Sequence, residues 1–161
     1  MEDRRPDAGG GQVSDRYERL YTMLLDSIPS SVLLIDQDLR IVSANRNFLD
    51  KSQRTLSNTI GQRLEGILPD VILDQLDISK RIRQAIAKNH PVHGERMTYR
   101  APGIPIRTYY YSILPFMWQG KVEGTILLMD DVTEQIRLSE EVRKVERHLA
   151  SIVESASDII L

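Results

Sequence analysis

The 161-residue chain carries 21 basic and 23 acidic side chains, a formal charge of −2, and 41% apolar residues. That composition allows one real hydrophobic core with helical extensions, and it gives no electrostatic basis for contact with nucleic acid or an anionic membrane. Cysteine is absent, which removes disulfides, thiolate metal sites and cysteine nucleophiles. No apolar run approaches the roughly 20 residues that span a bilayer, and the opening Met1-Glu2-Asp3-Arg4-Arg5-Pro6 lacks the apolar stretch of a secretory signal. A cytoplasmic setting is therefore expected, with a membrane anchor elsewhere in a longer parent left open.

Residues 1–13 are polar and include Gly9-Gly10-Gly11, the composition of a disordered lead-in. A helix is predicted over 14–28, with Ser14 or Asp15 as N-cap and Pro29 as its stop. Its apolar face carries Tyr17, Leu20, Tyr21, Leu24, Leu25 and Ile28. So wide a stripe needs a large partner, either the sheet or a second subunit. Val32–Asp36 and Arg40–Ala44 then read as a β-hairpin across Gln37-Asp38-Leu39. Asn45 is a natural N-cap for the helical passage that follows. This passage is broken by Gly61, Gly66 and Pro69, and its best helix is Leu76–Asn89, with Ile78, Ile82, Ala85 and Ile86 on one face. Beyond Pro91 three strands are predicted: Val92–Tyr99, Arg107–Leu114 and Val122–Asp130. The order implies an α+β domain, in which a five-stranded antiparallel sheet has short helices on one face and is flanked by terminal helices.

The last strand passes through Asp131-Val132-Thr133-Glu134 into a charged helix over 132–157. There Leu138, Val142, Val145, Leu149 and Ile152 recur at alternating four- and three-residue steps, the seam of a coiled coil, which Ala156 and Ile159 extend. Two readings stand: a parallel homodimer contact, with the Tyr17 helix as a second one, or an amphipathic helix folded back on its own sheet. Asp131 or Thr133 can cap the helix, and the acidic first turn suits its dipole.

Leu34-Ile35-Asp36 followed by Ile41-Val42-Ser43-Ala44-Asn45, then Ile60-Gly61-Gln62-Arg63-Leu64 with Ile67-Leu68-Pro69, and finally the run from Gly124 to Glu134, together resemble a PAS domain. The resemblance covers roughly Asp26 to Glu134. It implies a sensory core over 29–131 and makes Asp131, Thr133 and Glu134 the exit motif through which changes in the sheet reach an effector. The tail from Leu149 to Leu161 parallels Leu24–Leu34, so 158–161 are read as the start of a following module in a longer bacterial sensor. Such tandem arrangements most often feed a histidine kinase of a two-component system, and less often a cyclic-dinucleotide enzyme or a transcriptional activator.

Haem is the first cofactor the resemblance raises, since some PAS domains hold it through a helical histidine. Here His90 and His93 bracket Pro91 outside the helix body. Flavin is the second, with Trp118 as packing partner, although the light-sensing variety needs a cysteine that this chain lacks. No metal site is legible. Strand alternation puts Arg107, Tyr109 and Tyr111 on one face and Tyr110 on the other, so the first three could line a small-molecule pocket, or the pocket could be filled by side chains. The expectation is a colourless homodimeric relay with its effector in the same parent chain. It has neither cofactor nor catalysis of its own, because no nucleophile constellation, phosphate loop or carboxylate dyad is present.

Overall fold

Each β-rich stretch forms a strand, and the turns between them account for where the strands end. The computed structural model describes residues 9–159, with the side chains at positions 10, 71, 101 and 104 left aside. The elements in order are α1 (Gly9–Ser27), β1 (Ser31–Asp36), β2 (Ile41–Ala44), α2 (Arg46–Ser52), a 3-10 turn (Leu64–Gly66), α3 (Asp70–Leu76), α4 (Ile78–Lys88), β3 (Val92–Ala101), β4 (Ile104–Trp118), β5 (Lys121–Asp131) and α5 (Thr133–Ile159). They build the expected α+β fold around one five-stranded sheet of order β2-β1-β5-β4-β3. β1 pairs antiparallel with β2 on one side and with β5 on the other.

The β1–β2 turn is set by Asp36, whose carboxylate accepts from the backbone N–H groups of Asp38 and Arg40, each at 2.9 Å. Asp and Asn stabilise turns by this kind of local bond. At the β4–β5 turn, Gln119 and Gly120 both take positive φ (48° and 79°), as a two-residue type I′ hairpin requires. Gly124 on β5 has a different reason to be glycine: a Cβ there would stand 2.2 Å from the Ile35 carbonyl oxygen.

The chain divides into two compact units. One takes the described residues up to Glu95 with Tyr111–Met129; the other takes Arg96–Tyr110 with the described residues from Asp130 onward. The first holds most of the core. Leu33, Ile35, Leu39, Ile41, Leu64, Ile78, Ile82, Ile113 and Leu127 are all at most 1% exposed. Burying a side chain of this size stabilises by about 1.5–3 kcal/mol before ordering costs are counted.

Three boundaries differ from the sequence reading. The first helix begins at Gly9 rather than Ser14, so residues 9–13 are helical and not a disordered lead-in. No proline stands between Gly9 and Ser14 to break the helix ahead of the expected cap. Residues 1–8 of that lead-in lie outside the described residues. The helix expected over Leu76–Asn89 starts instead at Ile78, because Asp77 adopts φ 47° and separates it from α3. Finally, α5 runs on through Asp158 and Ile159, two residues past the expected end of the linker helix, where no glycine or proline stands to stop it. The rest of the segment 158–161, residues 160 and 161, is likewise outside the described residues.

Candidate functional site

The exit from the sheet is a closed hydrogen-bonded joint. Thr108 on β4 is 4% exposed and turns both of its backbone groups toward the exit. Its carbonyl accepts from Val132 N–H at 2.8 Å, and its N–H donates to Thr133 Oγ1 at 2.9 Å. The Thr133 hydroxyl donates onward to Asp131 Oδ1, which also accepts from Thr133 N–H at 3.0 Å. Arg107 Nη1 completes the joint with a 3.1 Å ion pair to Asp131 Oδ2. Asp131 thus does the capping work at the start of α5, the first of the two candidates, while Thr133 bridges strand to helix. Partial burial pushes the Asp131 carboxyl up, but the Thr133 hydroxyl and amide and the Arg107 guanidinium outweigh it and hold the group below the usual carboxylate range. Glu134 pairs instead with Arg137 along α5, and this hydrogen-bonded pairing lowers its pKa.

The entry from α1 is a joint of another kind, centred on Asn45, which is fully buried. Asn45 is the N-cap of α2, as its position implied, its Oδ1 accepting from Phe48 N–H at 3.1 Å. That oxygen also accepts from Val32 N–H on β1 at 2.9 Å. The Nδ2 group donates to Leu25 O at 3.1 Å and Ser30 O at 2.8 Å. Nearby, Asp26 Oδ1 accepts from Arg46 N–H at 2.8 Å. One side chain therefore ties the end of α1, the following turn, β1 and α2 together. Sequence reasoning found only the cap, since the other partners lie 13–20 residues away.

Within the tyrosine run Tyr111 is 2% and Tyr110 41% exposed, while Arg107, expected to share the face of Tyr111, is exposed. The three residues expected to share a pocket fall into separate networks. Arg107 is bound to Asp131, and Tyr109 stands in the field of both, its phenol pKa raised first by burial and then by the Asp131 charge. Tyr111 donates to Glu95 at 2.6 Å, and Glu95 pairs with Arg81 at 2.6 Å. Burial and the Glu95 bond push the Tyr111 phenol up to about 12. Glu95 and Arg81 carried no sequence signal of this role. His90 lines an open cleft of about 580 Å³ against α4 with Lys80, Arg81, Gln84 and Lys88. His93 is exposed on β3, and among the described residues no cluster of metal-ligating side chains forms around either histidine. Trp118, the residue weighed as a flavin partner, is 63% exposed at the end of β4.

Both long helices present apolar faces to solvent. On α5 no residue is buried, and Leu138, Val142, Val145, Leu149 and Ile152 are 48–59% exposed. On α1, Tyr17, Leu20, Tyr21 and Leu24 are likewise exposed. Among the described residues no helix is long and apolar enough to cross a membrane.

Comparison with known proteins agrees with this architecture. No curated protein matches the sequence. The PAS domain of BvgS from Bordetella pertussis is similar in structure at 18% identity, with a TM-score of 0.57, over 83% of this chain and 98% of that one. A sensory box sensor histidine kinase from Vibrio cholerae is similar at 16% identity and a TM-score of 0.52, over 76% and 98%. The VqmA dimer of Vibrio cholerae, described as a DNA-binding receptor, gives 19% identity and a TM-score of 0.58, over 74% of this chain and 52% of its own. A family model, the PAS fold, matches residues 25–137. That span holds both joints and the whole sheet, and the chain belongs to the PAS-fold family.

Proposed function

We propose that this PAS sensory domain is a dimeric relay, passing a change in its sheet through Asp131-Val132-Thr133-Glu134 and α5 to an effector further along the parent chain, a histidine kinase of a two-component system. The observation that carries this reading is the joint at Thr108. Its carbonyl bonds to Val132, just before α5, and its N–H to Thr133, the first residue of α5, at 2.8 and 2.9 Å, so a shift of β4 there would pull on the helix start. The half-exposed seam on α5 supports the dimeric form, because two copies side by side remove from water what one copy leaves in it. Glu140, Glu141, Arg143, Lys144, Glu146 and Arg147 flank that seam and fit the rim of such a contact.

The test is sedimentation of the wild type beside Val145→Glu at low micromolar concentration. Val145 is 59% exposed in one copy, so the variant should keep its fold by circular dichroism. At the seam, the new carboxylate would be buried without a partner and should yield monomers. A variant that stays dimeric removes the seam from the proposal.

A further inference from the structure

A second cleft, of about 410 Å³, opens where the β1–β2 turn meets the 3-10 turn and α4, and it is lined by Gln37, Asp38, Leu39, Arg40, Arg63 and Arg83. Three arginines from three separate elements line it, against a single acidic residue, Asp38. Each arginine is delivered by local structure. Arg40 follows Leu39, a 1%-exposed leucine held at φ 59°, a strained backbone for a bulky residue. The Arg40 N–H is fixed by the Asp36 carboxylate, and Arg40 and Arg63 face each other as an antiparallel backbone bridge. Arg83 projects from α4, whose sequence between Ile78 and Lys88 holds four cations and no acid.

Their donors are largely uncommitted. A guanidinium has five N–H donors. Arg40 gives one to Gly61 O at 2.8 Å, and Arg63 one to Glu65 at 3.4 Å. Arg83 has no hydrogen bond or ion pair among the described residues. In a chain of net charge −2, like charges gathered at one point repel, and an anion with several oxygens relieves that repulsion. Planar forks match phosphate oxygens in pairs, which a lysine cluster would not do.

We propose that this cleft binds a phosphate group, carried by a small soluble molecule or by a lipid headgroup. The inference is independent of the relay and shares no residue with it.

The experiment titrates the domain with inorganic pyrophosphate, reading heat and the arginine Nε–H NMR signals, and in parallel measures co-sedimentation with phosphatidic acid vesicles. Arg83→Gln should weaken binding by about tenfold or more, the loss expected for removing charge-assisted bonds. Arg83→Lys, which keeps the charge but not the fork, should fail to restore it. Lys80→Gln removes the same charge one helical turn away without lining this cleft, and should weaken binding clearly less than Arg83→Gln does. Saturable binding with this pattern in the pyrophosphate arm assigns a soluble ligand; the same pattern on vesicles assigns a headgroup. Equal weakening by Arg83→Gln and Lys80→Gln, or no saturable binding in either arm, overturns the site.

Discussion

The two joints solve the same problem, anchoring a long exposed helix to a sheet, with opposite materials. At the entry, Asn45 is neutral, fully buried and bonded in four directions. At the exit, Asp131 and Arg107 are charged, with side chains 25% and 51% exposed. A buried neutral network is costly to damage and indifferent to salt, because each lost bond strands a partner away from water. A part-exposed charged network is cheaper to loosen and responds to pH and ionic strength. By this contrast the exit is the easier of the two to loosen, which is what the proposed relay requires.

The largest effect should come from breaking the anchor. Asn45→Ala strands Val32 N–H and the Leu25 and Ser30 carbonyls, and should cost about 3 kcal/mol of unfolding free energy by urea denaturation, nearly unchanged in 1 M salt. A loss below about 1 kcal/mol would mean that the anchor is not one. Asp131→Ala should cost about 1–2 kcal/mol, shrinking in 1 M salt. The stabilisation from Asp131 is present above the ordinary carboxylate pKa of 3.8 and is lost as pH falls through the lower folded value. The variant and the wild type should therefore converge in stability below that range, whereas Asn45→Ala should show no such convergence.

A third test uses Tyr111. Its folded pKa of about 12 lies above the ordinary 10.0, so its contribution is intact below pH 10 and is lost as pH rises toward 12. Tyr111→Phe should cost about 1 kcal/mol at neutral pH and flatten the alkaline fall seen in the wild type. The smallest effect concerns Thr125, whose hydroxyl is buried with no partner among the described residues. Thr125→Val should raise stability by up to about 1 kcal/mol, and a loss instead would show that this hydroxyl is satisfied in solution.

The sheet was legible because apolar alternation and turn residues set its strands to within a few residues. β4 extends furthest beyond its predicted bounds, from Ile104 to Trp118, past Pro105 and Pro115, which argue against a strand at the sequence level. The passage from the last strand into a helix at Asp131–Glu134 was legible, but the strand it bonds to was not, since nothing around Arg107-Thr108 announces a bond to residues 24 and 25 positions later. The pocket proposed for Arg107, Tyr109 and Tyr111 rested on alternation alone. Alternation separates Tyr111 from Tyr110, but Arg107 is exposed on the face assigned to buried Tyr111, and the pattern says nothing of which partner each side chain finds.

The length of α5 carries one more consequence. Its 27 residues, rising about 1.5 Å each, make a rod of about 40 Å pivoting at Thr133. A tilt of about 8° at Thr133 would swing the far end by roughly 5.5 Å, about the distance between neighbouring side chains on a helix surface. The proposed relay would draw leverage from this length: a displacement at Thr108 small beside the dimensions of the sheet would be multiplied along α5 before it reaches Ile159.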